Sequence, residues 1–151
     1  MKKKQDVFDQ IMGLPIFAPV YPFYEKHKEV LLYLLFGGLS FILNISFFFF
    51  LNGTLKINEL ISNVISWIVC VLFQFFTNRT WVFQNDSKKS SKFLKQLIDF
   101  FGGRIATLIV EECILVVFIT WLAFDALCIK ILAQVIVILL NYIISKWFVF
   151  A

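Results

Sequence analysis

The side chains best suited to bind a charged ligand lie at the ends of two apolar stretches and repeat at a fixed spacing. One stretch ends in QFFTNRTWVF, with Gln74, Asn78 and Arg79, and the other ends in NYIISKWFVF, with Asn141 and Lys146. An offset of 67 residues aligns Gln74 with Asn141 and Arg79 with Lys146. Amides beside a guanidinium or an ammonium suit a phosphate oxyanion and sugar hydroxyls. The pattern therefore indicates a duplicated site for a charged ligand.

A third apolar stretch carries ionisable residues inside it, where they are costly and often functional. Arg104 lies about seven residues from the start of this stretch, roughly 10 Å along a helix. Seven residues separate Arg104 from Glu111, which places both on one helical face, and Glu112 follows. A carboxylate there either hydrogen-bonds another helix, for example at Asn44 or Gln134, or is coupled to transport, for example by moving a proton. Snorkelling to lipid phosphate is the alternative role for Arg104.

The composition is that of an integral membrane protein. The chain of 151 residues is 60% hydrophobic, contains 20 Phe and has a mean hydropathy of +0.85. A soluble domain of this size could not cover so much apolar surface. The sequence contains no Walker loop, metal-ligand cluster or nucleophile elbow. We therefore expect no catalytic residue, no metal, no cofactor and no enzymatic activity.

Four stretches are long enough to cross a bilayer as helices, which takes about 20 apolar residues each. They are Val30–Leu51, Leu60–Phe76, Leu97–Phe124 and Lys130–Phe148. The expected fold is all-α, with four transmembrane helices arranged as two tandem helical hairpins. We expect residues 1–29 to form an N-terminal cytoplasmic or interfacial arm and residues 30–151 to form the transmembrane domain.

Basic residues in the loops predict how the spans are oriented. Eleven lie on the side of the N-terminal arm, whereas the other side has only two, Lys56 and Lys130. Because positive loops stay in the cytoplasm, we expect a multi-pass protein of the cytoplasmic membrane with both termini cytoplasmic. The candidate ligand-binding residues near the inner interface are then Gln74, Asn78, Arg104, Asn141 and Lys146. The net charge of +4 follows from the same asymmetry and favours anionic lipid headgroups over nucleic acid.

A second repeat involves glycine pairs. Phe36-Gly37-Gly38 in the first span is echoed by Phe101-Gly102-Gly103 in the third, 65 residues later. Together with the offset of 67, this echo favours two hairpins related by a pseudo-twofold axis along the membrane normal. Chance similarity among Phe-rich helices is the alternative explanation. Small residues let membrane helices pack closely, so we assign both glycine pairs a packing role ahead of ligand contact.

The chain resembles the GtrA-like family, small four-span proteins related to the membrane region of some dolichol-phosphate mannose synthases. The resemblance rests on YLLFGGLSFILN, NVISWIVCVLFQFFTNRTWVF, the segment Phe100–Arg104 and KILAQVIVILLNYIISKWFVF. It extends from about Glu25 to Phe150. The resemblance implies a role in moving polyprenyl-phosphate-linked sugars, or in supporting a glycosyltransferase that makes or uses them. The positions that fit the family pattern are Asn78, Val82, Phe83, Phe100, Arg104, Lys130 and Asn141.

We therefore expect flipping of an undecaprenyl-phosphate-linked monosaccharide for cell-envelope polysaccharide or teichoic acid glycosylation. Gln74 and Lys146 complete the expected substrate site, and Glu111 is the candidate coupling residue. Lys130, on the expected outer side, is an exit contact or an anchor to headgroups. The expected partners are the lipid-linked sugar, membrane lipids and membrane glycosyltransferases. Four spans make a thin wall around a sugar, which favours a homo-oligomer.

Two other classes of function fit the same sequence. A non-transporting anchor or scaffold would recruit a polyprenyl-phosphate glycosyltransferase without moving lipid itself. A small multidrug exporter would depend instead on a mid-membrane carboxylate such as Glu111. Flipping of the lipid-linked sugar by purified protein separates the first class from the proposed translocase, and replacement of Glu111 separates the second.

Overall fold

The structure is helical throughout the part of the chain that it describes. The computed structural model describes residues 6–84 and 93–151. We number the α-helices in chain order, and they are α1 Val7–Met12, α2 Tyr21–Phe49, α3 Glu59–Thr77, α4 Phe93–Leu115 and α5 Ala126–Ile144. A short 3₁₀ turn, Pro15–Phe17, lies between α1 and α2.

Each of the four long helices runs directly into a π-helical turn. These turns are Phe50–Thr54, Asn78–Val82, Val116–Trp121 and Ser145–Val149. In a π turn the backbone N–H bonds a carbonyl five residues back, a geometry that occurs often at functional sites. The predicted signatures after Gln74 and Asn141 therefore lie on π turns and not on plain helix ends.

Three helical segments are long and apolar enough to cross a membrane: Tyr21–Thr54, Ile61–Val82 and Ile131–Val149. Helix α4, which contains most of the third predicted span, is not among them. Its apolar part carries Arg104, Glu111 and Glu112. Large apolar side chains are exposed along the helices, for example Phe41 at 68% and Ile131 at 58%. Such a surface is typical of helices that face lipid.

Helix α2 begins earlier than the predicted first span. The sequence predicts a span from Val30, whereas the structure starts the helix at Tyr21 with Pro22 in its first turn. Proline is compatible with a first turn because the backbone N–H that it lacks has no intrahelical partner there. The backbone of His27 is non-helical, with φ −115° and ψ 15°, and marks a kink. The last residues of the predicted arm are thus the first turns of a kinked α2.

The chain divides into two compact units, Met1–Gln84 and Asn85–Ala151. Each unit contains one hairpin of long helices, α2 with α3 in the first and α4 with α5 in the second. In the first hairpin the Ser40 hydroxyl donates to the Cys70 carbonyl, and the Cys70 thiol donates to the Ser40 carbonyl.

The backbones of the two hairpins repeat at an offset of 67 residues. The non-glycine residues with positive φ are Lys56 at 56° and Ala123 at 53°, which are 67 positions apart. The π turns at the far helix ends obey the same offset, since Phe83 N–H donates to the Asn78 carbonyl at 2.8 Å and Phe150 N–H to the Ser145 carbonyl at 3.0 Å. The offset read from the sequence is therefore the structural register of the repeat.

The glycine echo at an offset of 65 is wrong as a repeat register. Two residues turn a helix by about 200°, so the two glycine pairs lie on nearly opposite faces of their helices. A Cβ on Gly103 would lie 2.7 Å from Ile144 Cγ2, which confirms close packing of α4 on α5 there. A Cβ on Gly37, Gly38 or Gly102 would meet nothing within 4 Å in the described structure. The packing role predicted for both pairs holds for Gly103 alone.

Candidate functional site

The second hairpin brings together the residues with the clearest capacity to bind an anion. Helix α4 buries a stripe of side chains at spacings of four, seven and four, namely Gln96, Phe100, Thr107 and Glu111. These spacings return to one helical face, the face that packs against α5. Arg104 lies between Phe100 and Thr107 on this side of the helix, in the segment where Gly103 permits close approach.

Arg104 is held over an aromatic ring. Its guanidinium carbon lies 4.8 Å from the centre of the Phe100 ring, within the range of a cation–π interaction. Phe100 is fully enclosed and its ring centre lies 6.1 Å from that of Phe150. The Phe100 ring is therefore a fixed platform under the guanidinium.

The Nε of Arg104 is buried and has no hydrogen-bond partner among the described residues. A buried charged donor without an acceptor costs free energy, and such groups are rare unless a ligand or an ion satisfies them. The planar guanidinium matches the oxygen spacing of a phosphate or a carboxylate. Arg104 is thus oriented by the protein and still able to donate to an oxyanion.

Asn141 is fixed beside this arginine by a threonine. The Thr107 hydroxyl donates to Asn141 Oδ1 at 2.8 Å, and both side chains are buried. The Thr107 oxygen also lies 3.1 Å from the Arg104 carbonyl. Because the amide oxygen of Asn141 is directed to Thr107, its NH₂ group is oriented as a donor. The sequence analysis did not select Thr107, although it lies 67 residues after the buried Ser40.

A second polar pair lies farther along the same hairpin. Gln134 Nε2 donates to Glu111 Oε1 at 2.6 Å. This confirms the predicted hydrogen bond of Glu111 to another helix and identifies Gln134 as a partner. Glu111 is 8% exposed, whereas the next residue, Glu112, is exposed.

The first unit contains the other predicted binding residues of the second apolar stretch. Asn78 is buried at the start of its π turn and accepts the Phe83 N–H there. Val82 and Phe83 are also buried. Gln74 is half-buried one turn earlier on α3. The structure thus makes Asn78, Val82 and Phe83 part of the packed end of the first hairpin.

The two predicted lysines have different outcomes. Lys146 lies in the last π turn, where its Nζ donates to the Tyr142 hydroxyl at 3.4 Å and lies 5.6 Å from the centre of that ring. Lys130 belongs to the first turns of α5, and its side chain lies outside the described part of the structure.

The N-terminal segment is docked on the first hairpin by a charge cluster that the sequence analysis missed. Lys28 Nζ lies 2.7 Å from both Asp6 Oδ2 and Asp9 Oδ1. Asp6 and Asp9 also cap α1 reciprocally, each side chain accepting the other's backbone N–H. Burial raises the pKa of Asp9, but the hydrogen bonds from Lys28 and the Asp6 backbone, with the charge of Lys28, outweigh it and lower that pKa overall. The spacing of Asp6 and Asp9 before a short apolar run was the available signal, because it matches a capping box.

An aromatic cluster completes this docking. The Phe8 ring packs edge-on against Phe36 at 5.7 Å and against Trp81 at 6.2 Å, and Phe36 stacks on Trp81 at 5.5 Å. In the second hairpin the corresponding ending is open, since Trp147 is 66% and Phe148 73% exposed. The repeated aromatic endings therefore have different environments.

The described residues contain no group of three side chains placed to hold a metal ion. The Arg104 site consists instead of a guanidinium, an oriented amide and an aromatic platform. Such groups bind an anion and neighbouring hydroxyls by charge-assisted hydrogen bonds.

Comparison with known proteins agrees with this kind of structure. The GtrA/DPMS transmembrane domain model matches residues 32–150. The cell wall teichoic acid glycosylation protein GtcA of Listeria innocua is 34% identical over 130 residues, covering 85% of this chain and 90% of that protein. The GtcA protein of Listeria monocytogenes is 33% identical with the same coverage. The membrane protein YwcD of Bacillus subtilis is 29% identical over 119 residues, covering 79% of this chain and 94% of that protein.

These matches explain the long apolar helices as those of a multi-pass membrane protein. The matched range runs from α2 to the final π turn, so it includes both hairpins and the residues around Arg104. The chain belongs to the GtrA/DPMS transmembrane domain family.

Proposed function

We propose that the protein flips a polyprenyl-phosphate-linked monosaccharide across the cytoplasmic membrane for cell-envelope polysaccharide or teichoic acid glycosylation. The role in glycosylation is supported by the names of the Listeria relatives. The chemistry of the cargo is supported by the Arg104 site, whose donors suit a phosphate that carries a sugar. In this proposal the protein has no catalytic residue of its own.

The observation that carries the proposal is the buried, unpartnered Nε of Arg104. The guanidinium stands on the Phe100 ring, and the Asn141 amide is oriented nearby by Thr107. A phosphate oxygen would satisfy the Nε–H, and the amide would donate to a second oxygen or to a hydroxyl. Snorkelling alone does not require a buried Nε or an amide fixed by a second side chain.

The membrane arrangement that we propose has four spans, formed by α2 to α5 with their π turns. The charged residues of α4 are then the binding and coupling groups inside the third span. Basic loop residues favour cytoplasmic termini, which places Arg104 and Asn141 in the cytoplasmic half of the membrane. A site at that depth can take the headgroup from the inner leaflet while the polyprenyl tail remains in lipid.

The other predicted residues are assigned by the repeat and by position. Gln74 and Asn78 correspond to Asn141 and Ser145 at the offset of 67, so we propose them as contacts of the same ligand. Lys146 supplies further positive charge at the inner side, and Lys130 is proposed as a contact at the outer side. Val82, Phe83 and Phe100 hold the polar residues in place from the packed core. Membrane glycosyltransferases and further copies of this chain are the proposed protein partners.

The proposal is tested in cells by Arg104→Ala. We expect loss of most envelope glycosylation with normal abundance of the protein in the membrane. Lys95→Ala is the matched control, because Lys95 is an exposed basic residue on the same helix. Normal glycosylation in Arg104→Ala at normal abundance would contradict the assigned site.

A further inference from the structure

The polar face of the second hairpin continues beyond the Arg104 site. Arg104, Thr107 and Glu111 follow one another on α4 at spacings of three and four, which keeps them on one side of the helix. Asn141 and Gln134 answer them from α5, with Thr107 bonded to Asn141 and Gln134 bonded to Glu111. The hairpin thus has two polar levels, and the second lies deeper in the third span than Arg104.

The second level is costly if its only role is to join the helices. A carboxylate within an apolar span is expensive even when it is hydrogen-bonded. Replacing buried charged groups by well-packed apolar ones is often neutral or stabilising, so stability alone does not require Glu111. The close approach of the helices is already provided by Gly103 against Ile144 and by the Thr107–Asn141 bond.

The spacing between the two levels fits one headgroup. Arg104 and Glu111 are seven residues apart, which corresponds to about 10.5 Å along a helix. A phosphate joined to a single sugar ring bridges a gap of this kind once the side chains extend toward it. A carboxylate accepts hydrogen bonds from sugar hydroxyls, and the Gln134 amide both donates and accepts. The pair therefore complements hydroxyls, whereas Arg104 complements the phosphate.

We infer that Glu111 and Gln134 form a sugar-hydroxyl subsite that holds the monosaccharide while Arg104 holds its phosphate. This inference rests on the proposed function and assigns the selectivity for the sugar to the deeper polar level. The bare polyprenyl phosphate uses the Arg104 level alone. The sugar-bearing lipid uses both levels, with the sugar directed toward the centre of the membrane.

The test compares two kinds of lipid on the full-length protein in detergent micelles. The probes are undecaprenyl phosphate and undecaprenyl-phosphate-linked glucose, galactose and N-acetylglucosamine, with binding measured by quenching of tryptophan fluorescence. The variants are Glu111→Gln, Glu111→Leu and Arg104→Ala. Glu112→Gln is the control, because Glu112 is the exposed neighbour of Glu111. Glu111→Gln retains an oxygen that can accept from Gln134, so it preserves the contact between the helices.

We expect the wild type to bind at least one sugar-bearing lipid more tightly than the bare lipid. Glu111→Leu should reduce this preference about tenfold, the effect of losing hydrogen bonds to a charged group, and Glu111→Gln should reduce it less. Neither change should alter binding of the bare lipid, and Glu112→Gln should behave like the wild type. Arg104→Ala should weaken the binding of every probe.

Two results would overturn the subsite. One is a wild type with no preference for any sugar-bearing lipid. The other is a Glu111→Gln variant, with wild-type thermal stability, that keeps the preference or loses affinity for bare and sugar-bearing lipids equally. Failure of the proposed function looks different, because Arg104→Ala would then leave the binding of all probes unchanged.

Discussion

Arg104 combines a fixed position with an unsatisfied donor, and this combination depends on small neighbouring side chains. Phe100 supports the guanidinium from below, and Thr107 orients the Asn141 amide from one turn along the helix. Thr107 contacts no ligand in this account. It acts as a positioning residue, because its hydroxyl determines which end of the Asn141 amide is free to donate.

Removal of the Thr107 hydroxyl tests this role. Thr107→Val keeps the shape of the side chain and loses the bond to Asn141, which should cost about 1 kcal/mol of stability. With the amide no longer oriented, we expect the affinity for undecaprenyl phosphate to fall several-fold. Thr120→Val, at an exposed position of α4's π turn, should change neither property. Unchanged affinity in Thr107→Val would show that Asn141 is positioned without it.

The packing of α4 on α5 relies on one glycine of four. Gly103→Ala places a methyl group 2.7 Å from Ile144 Cγ2, so the helices must separate or Ile144 must move. We expect a loss of about 1–3 kcal/mol of stability, read as a lower midpoint of thermal unfolding in micelles. Gly102→Ala meets open space and should be neutral or stabilising, since alanine favours helix over glycine.

A compensating change identifies the cause of this loss. Ile144→Ala in the Gly103→Ala background removes the colliding methyl groups and should recover part of the stability. A Gly103→Ala protein as stable as Gly102→Ala would contradict the close approach of the two helices at this point.

The arm is a separate element whose docking depends on charge. Because the pKa of Asp9 is lowered in the folded protein, its ionised form stabilises docking at pH values above the ordinary 3.8, and this contribution is lost as the pH falls below that value. We therefore expect hydrogen exchange in α1 to be constant between pH 5 and 8 and to speed up under strongly acidic conditions.

Removal of the lysine has the same effect at neutral pH. Lys28→Ala leaves Asp6 and Asp9 without their shared cation, so exchange in Val7–Met12 should rise towards that of an undocked segment. Lys26→Ala, an exposed neighbour on the same helix, is the control. Equal protection of α1 in the two variants would show that the Phe8 cluster is sufficient to dock it.

For the whole molecule, the sequence predicted the helical class and the register of the repeat but not the local contacts. Long apolar stretches predict helices because a bilayer forces the backbone to bond within itself. The offset of 67 was visible because polar signatures such as Gln74 and Asn141 recur in an apolar background. The glycine echo was misleading, because Gly-Gly pairs have no preferred face until a neighbour such as Ile144 is known.

The contacts that the sequence did not predict are long-range ones. The partner of Lys28 lies 22 residues away in Asp6, and Thr107 gains its role only when α5 folds back onto it. The depth of Arg104 was predicted from helix geometry, whereas its burial and its unpaired Nε required the packed hairpin. Periodicity predicts elements, and side-chain pairing between distant elements follows only from their packing.

The central claim, that this protein moves a lipid-linked sugar, is tested most directly with purified protein in liposomes. Fluorescent undecaprenyl-phosphate-glucose and its galactose and N-acetylglucosamine counterparts are placed in both leaflets, and membrane-impermeant dithionite reports how fast the inner pool reaches the outside. We predict that wild-type protein accelerates this exchange for at least one sugar and that Arg104→Ala does not, while Lys95→Ala matches the wild type. Wild-type liposomes that exchange every probe no faster than protein-free liposomes would contradict the account and favour a non-transporting scaffold.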